Sequence, residues 1–288
     1  MLLLALDTST RQASVALCTE DQLLGEYSWH IGNNHSVELL DRIQRLSGEC
    51  DTPLSALDAI AVATGPGSFN GVRVALATAK ALAFALQKPL VGVSTLDSIA
   101  AGQGQWPGLV CSLLEAGRSE LYAACYLFEV QEGVNGTATY SMLRLSDYLL
   151  LAPQQLSGYL QEQLPTWMDV VGGQPLSPFL FCGEISTASR EALREQMQEQ
   201  ALFAGGLQST RHASVLAQLA RQRLESGDMD DPLSLEPLYL RRPSITTSTR
   251  KQPLLGGGSQ AHTQPQRLAD SRPTGSSQTE REEGALRH

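Results

Sequence analysis

The sequence predicts an α/β protein of two lobes followed by a tail, and three observations carry that prediction. Short β-type apolar runs alternate with helical patterns through the first hundred residues, the alternation restarts after a Gly-rich stretch at 102–108, and composition changes from Pro243 onward. The chain has 288 residues, 42% of them hydrophobic and 18% charged, enough for one good core or two modest ones. We therefore divide it into a first lobe over 1–105, a smaller second α/β lobe over 106–242, and a tail over 243–288.

Taken in order, LLLALD at 2–7, ASVAL at 13–17 and LLGEYSW at 23–29 read as three strands of a meander. Asn34 can cap a helix over about 35–48, in which Leu39, Leu40, Ile43 and Leu46 recur at helical spacing. LDAIAVAT at 57–64 is a buried-type strand leading through a Gly/Pro loop into a helix over about 70–87, and VGVS at 91–94 is a further strand before a short helix. In the second lobe, LVCSLLEA and ELYAACYLFEV form two strands joined by Gly117-Arg118-Ser119. A helix at 153–164, strand 179–183, helix 187–199, a strand at ALFA and a helix at 212–226 complete it. The last helix is free to return to the first lobe. Residues 243–288, rich in Ser, Thr, Gly, Gln and Pro, bury too little apolar surface to offset ordering and are expected to be disordered. No repeat of fixed period is present in the sequence.

A formal charge of −9 with only three lysines, Lys80, Lys88 and Lys251, leaves no basic stripe to displace counterions from phosphates, so tight nucleic-acid binding by this chain alone is not expected. Five cysteines without a C-x-x-C pair sit mostly in apolar runs, as free thiols do in a reducing compartment. The apolar start stops at Asp7 and is read as a strand, and no apolar run approaches the ~20 residues of a membrane span; we expect a cytoplasmic protein. The five histidines share no H-x-x-x-H spacing, so a histidine-held metal is not expected, nor is any other cofactor beyond weak ATP or ADP binding.

Two segments could carry chemistry. TGPGSFNGVR at 64–73 joins a strand to a long helix, where Gly65, Gly67 and Gly71 let backbone amides converge on an anion; a plain structural turn uses the same residues. Asp7, Thr8 and Ser9 end the first strand, where a carboxylate and hydroxyls can hold a metal-bridged phosphate, or simply close an Asx turn. Arg118 is a candidate anion contact on the second-lobe hairpin, with a solvated turn as the alternative. The helix at 70–87 is apolar nearly all round: Val72, Leu76, Ala79 and Leu86 can cover the sheet, while Val74, Ala77, Ala81 and Phe84 form a second row that also has to leave water. Either helix 35–48 or another chain can cover that row.

LALDTSTRQASVAL, NHSVELL, LDAIAVATGPGSFNGVRVALATAKALA, PLVGVSTLDSIA and PLYLRRPSI, in this order, resemble the TsaB family, also called YeaZ. The resemblance runs through most of 2–102 and returns at 236–245, with a weaker echo at LLEAGRSELYAA. It implies the two-lobed actin-like, Hsp70-like and sugar-kinase-like (ASKHA, RNase H-like) fold. It further implies a non-catalytic scaffold that pairs with a TsaD-like transferase for threonylcarbamoylation of the tRNA adenosine beside the anticodon. A TsaE-like ATPase would join that complex, a TsaC-like synthase would supply the adenylate, and tRNA would be met only indirectly. The family pairs, with itself or with TsaD, through two first-lobe helices; here His35, Leu39, Leu40 and Ile43 would come from one, and Arg73, Val74, Ala77, Lys80, Ala81 and Phe84 from the other. Asn70, Val72, Glu115 and Gly117 stand where the family usually has Thr, Leu, Asp and Arg. The alternatives are an ATP-dependent phosphotransferase of the same fold, using Asp7, Thr8 and the 65–71 loop, and, more distantly, a peptidase.

Overall fold

The computed structural model describes residues 1–31, 35–104, 106, 108–132, 138–170 and 178–241, all within the compact unit Met1–Pro243. Asn34 and the tail from Pro243 onward, expected to be a cap and a disordered segment, lie outside the described residues. The first half runs β1 (Leu3–Asp7), β2 (Gln12–Cys18), β3 (Leu23–His30), α1 (His35–Glu49), β4 (Ala59–Ala63), α2 (Phe69–Leu86), β5 (Leu90–Val93) and α3 (Thr95–Ala101). The second half runs β6 (Leu109–Gly117), β7 (Glu120–Glu132), β8 (Ala138–Arg144), β9 (Leu149–Leu151), α4 (Pro153–Val170), β10 (Phe179–Glu184), α5 (Thr187–Met197), β11 (Ala201–Phe203) and α6 (Ala213–Glu225).

The two halves follow one plan. The first sheet has strand order β3-β2-β1-β4-β5 and the second β8-β7-β6-β10-β11, with β9 paired to β7 beside them. In each, three antiparallel strands are extended by two parallel ones. This is the two-lobed α/β fold of the actin-like class, laid out twice although the sequence shows no repeat.

Strand periodicity explains the layers. Leu4, Leu6, Val15, Leu17, Ile60 and Val62 point to one face of the first sheet and form a core with α1 and α2. Ala5, Ala16, Ala61 and Ala63 point to the other, where α6 packs through Ala213, Leu216, Ala217 and Ala220. Alanine against alanine lets that helix sit close to the sheet. α3 does the reverse of α6: Leu96, Ile99 and Ala100, from the first half of the chain, pack on the second sheet with Val110, Tyr126 and Leu180. The fifth layer is α4 and α5 on the far face of the second sheet, through Leu156, Leu160, Trp167, Leu193 and Met197. Each half therefore lends its last helix to the other half's sheet, and α3 and α6 meet between the sheets.

Two expectations change. α4 continues through Pro165 to Val170, although proline removes a backbone donor, because Leu160 and Trp167 on either side of it are buried against Phe179 and Tyr159. β8 and β9 are not among the expected strands; β8, in which Ala138, Tyr140 and Met142 alternate with Thr139 and Ser141, pairs along β7 from Arg144↔Tyr126 to Ala138↔Glu132. The free edge of β5 is closed by side chains. Asp230 accepts from Gly92 N at 2.7 Å, Arg223 donates to Gly92 O at 2.6 Å, and Asp230 N donates to Leu90 O at 2.9 Å.

Candidate functional site

β1 ends at Asp7, and the turn that follows places Thr8 and Ser9 directly on the Gly-rich loop before α2. Asp7 is 1% exposed; its Oδ1 accepts from Ser9 N at 2.8 Å and Ser9 Oγ at 2.6 Å. Thr8 Oγ1 donates to Gly71 O at 2.6 Å, and Ser68 N donates to Ser9 O at 2.6 Å. The contact is backbone on backbone. A Cβ on Gly67 would stand 2.1 Å from Ser9 O, and one on Gly71 would stand 2.0 Å from Thr8 O. The glycines are thus required for close approach of the chain to itself, and the Ser68 amide of the loop is taken by Ser9 O. Gly65, at φ 97°, accepts from Thr95 N at 2.8 Å and shapes the turn toward α3.

The carboxylate of Asp7 has a partner that the sequence did not suggest. Arg211, in the loop before α6 and 2% exposed, donates from Nε to Asp7 Oδ2 at 2.8 Å. It also donates to Glu184, to Thr10 Oγ1 at 2.8 Å and to Gln12 O at 2.5 Å. Burial alone would lower the Arg211 pKa, but Asp7 and Glu184 outweigh it and raise it. Arg118, the expected anion contact, is instead exposed at the tip of the β6–β7 hairpin, where it and Ser119 both take positive φ. Glu115, at the end of β6, accepts from Ser186 N at 2.8 Å and Ser189 Oγ at 2.7 Å and so caps the start of α5. Burial would raise its pKa, yet those bonds hold the carboxyl below the usual range. The chain past α6 straps the halves together: Leu238 N donates to Thr64 O at 2.8 Å, and Arg241 reaches Ala116 O at 2.9 Å and the Glu120 carboxylate.

The second candidate surface is the outer side of α2, a helix capped by Ser68, whose Oγ accepts from Gly71 N at 3.3 Å. Val72, Leu76 and Ala79 are buried on the sheet, as the periodicity requires, and Leu86 is half-buried. The second row is not covered by α1: Ala77 and Ala81 are exposed, Val74 is half-buried, and Phe84 is 81% exposed. Arg73 stacks on the Phe69 ring at 4.7 Å, and Lys80 is half-buried on the same helix. On α1 the expected contacts divide. Leu40 is 50% exposed, whereas Leu39 and Ile43, at 0% and 2%, are spent in the core against the sheet. That corrects the reading of Leu39 and Ile43 as interface residues: their period places them on the inner stripe of α1. The His35 side chain lies outside the described residues. Among the described residues α2 alone has the length and apolarity of a membrane-crossing helix, and it lies along the sheet. Also among them, no group of three or more His, Cys, Asp or Glu is placed to hold a metal ion.

Residues 30–248 match the family model described as TsaD: tRNA N6-adenosine threonylcarbamoyltransferase. The tRNA threonylcarbamoyladenosine biosynthesis protein TsaB of Escherichia coli (strain K12) is 32% identical over 160 residues, 55% of this chain and 68% of its own. The chain belongs to the TsaB family, also called YeaZ. TsaB of Bacillus subtilis (strain 168) is 29% identical over 241 residues, 84% of this chain and 94% of its own. YeaZ from Pseudomonas aeruginosa, a solved structure, superposes with a TM-score of 0.61 at 28% identity, covering 83% of this chain and 99% of that one. The segments that carry the TsaB resemblance fall on β1, β2, α1, β4 through α3, and the strap from Pro237, the parts that build the β1 turn with its glycine loop and the exposed helix face.

Proposed function

We propose that this TsaB-family chain acts in tRNA threonylcarbamoyladenosine biosynthesis as a non-catalytic subunit that pairs with a TsaD-like transferase in the cytoplasm. The observation that carries this reading is the uncovered apolar row on α2, Val74, Ala77, Ala81 and Phe84. A phenylalanine ring left 81% exposed on a rigid helix is the kind of aromatic anchor that protein interfaces bury. The same face can pair two copies of this chain when the transferase is absent, and a TsaE-like ATPase joins the assembled pair. tRNA is met through the transferase, in keeping with a formal charge of −9.

A phosphotransferase reading needs a free carboxylate and free amides at the β1 turn. Asp7 is committed to Ser9 and Arg211, and the Ser68 and Gly71 amides donate to Ser9 O and Ser68 Oγ.

The test is co-purification of the full chain with the TsaD-like subunit of the same cell, read beside tRNA modification. Ala77→Glu places an unpaired charge in the buried centre and Phe84→Ala removes the anchor; loss of at least ~2 kcal/mol, about thirtyfold in affinity, is expected for Phe84→Ala. Both variants should keep the parent circular dichroism, because both side chains are exposed in the free chain. A complex that survives both substitutions, or modification that does not depend on this chain, removes the proposal.

A further inference from the structure

We propose that Arg211 is an internal latch, a cation supplied by the chain itself that holds the facing ends of the two sheets closed with no bound ligand.

The geometry is that of a three-way tie. Asp7 ends β1 of the first sheet and Glu184 ends β10 of the second, and the Arg211 guanidinium donates to both carboxylates. Two further donations, to Thr10 Oγ1 and Gln12 O, fix it on the β1–β2 turn. Thr10 Oγ1 itself donates to Glu184 Oε1 at 3.0 Å, a second bond across the same gap. A planar guanidinium fork can serve these acceptors at once, and a lysine ammonium on a flexible stem cannot. The Arg211 and Asp7 side chains are each 1% exposed, so their attraction is little screened by salt, and breaking the pair strands a buried charge. The Glu184 side chain, 36% exposed, is the part of the tie that can let go into water.

Other polar ties between the halves lie at α3, where Tyr126 and Tyr148 donate to Asp97 at 2.7 and 2.8 Å, and at the strap, where Arg241 with Glu120 is 25% and 35% exposed and correspondingly weak. α3 and α6 join the halves between the sheets, but they pack against sheet faces and not across the gap that Arg211 spans. The latch lets the closed arrangement exist before any partner arrives, so that the α2 face is presented by one conformation.

The experiment measures the distance between the outer layers of the two halves. In the full chain, Gln44→Cys on α1 and Gln196→Cys on α5, both exposed, carry spin labels in a Cys50→Ser background that removes the half-exposed native thiol. The parent should give one narrow distance distribution. Glu184→Ala cuts the tie on its half-exposed side only, and should broaden that distribution and add a longer population while circular dichroism stays unchanged. Arg211→Met should do the same with a fall in melting temperature of roughly 10 °C. A Glu184→Ala chain that is folded and keeps the parent's narrow distribution overturns the latch, and it does so even if Arg211→Met fails to fold.

Discussion

Replacing Asp7 with Asn changes one oxygen for one NH2 and leaves the size alone, yet no orientation of the amide satisfies the site. With Oδ1 kept on Ser9 N and Oγ, the new NH2 faces Arg211 Nε, donor against donor; with the amide reversed, the clash moves to Ser9 N. Either way Arg211 loses its fully buried anionic partner and keeps only the half-exposed Glu184. Breaking a buried pair from one side costs about 3–5 kcal/mol. At roughly 2–4 °C per kcal/mol for a unit of this size, the midpoint should fall by about 6–20 °C. Thermal melts by circular dichroism, with and without excess Mg-ATP, read this directly. The expected result is a large fall that nucleotide does not alter, in a parent that nucleotide does not stabilise. A variant melting within about 2 °C of the parent would refute the reasoning. So would a parent that gains the ~2.7 kcal/mol due at a hundredfold excess of ligand over its Kd, if Asp7→Asn abolishes the gain, because the carboxylate would then serve a ligand.

The glycines separate cleanly by the same assay. Gly71→Ala should lose about 3 kcal/mol or more, since its Cβ would stand 2.0 Å from Thr8 O, whereas Gly158→Ala, in α4 with nothing within 4 Å, should gain about 0.5–1 kcal/mol; equal effects would show that the loop does not press on the β1 turn. Alkaline titration probes the pair Tyr126 and Tyr148, which donate to Asp97 at 2.7 and 2.8 Å. Burial, and then the Asp97 charge, pushes the Tyr148 phenol up to about 12. A raised phenol contributes stability that is whole below pH about 10 and is lost as pH rises toward the folded value. Asp97→Asn should therefore bring phenolate absorbance on at lower pH, and an unchanged titration would remove Asp97 as a cause.

The parts of this fold legible in the sequence are those set by local pattern. The apolar runs LLLALD and ASVAL mark β1 and β2, and the period of α2 places Val72, Leu76 and Ala79 on the sheet, where the structure has them buried. Leu39, Ile43 and Leu46 share one stripe of a helical wheel while Leu40 sits round from it, and the buried stripe is the one that faces the sheet. β8 has a short alternation of its own, Ala138, Tyr140 and Met142 against Thr139 and Ser141, but its place at the sheet edge comes from its pairing with β7. Arg211 was illegible for another reason: it lies 204 residues from Asp7 in a stretch with no motif, so nothing local marks it as the partner of that carboxylate. The Gly-rich loop is read with two meanings, and the Cβ distances at Gly67 and Gly71 give the glycines a structural role in packing against the β1 turn.

The exchange of α3 and α6 also has a consequence for how the chain is made. As it leaves the ribosome, the alanine-lined face of the first sheet has no cover until α6, ending at Glu225, has been synthesised. At 5–20 residues per second the interval after α3 is on the order of ten seconds. During that time Ala5, Ala16, Ala61, Ala63, Val91 and Val93 lack their final partner. A chain cut short before α6 should therefore appear in the aggregate fraction of the cell and not as a smaller folded protein.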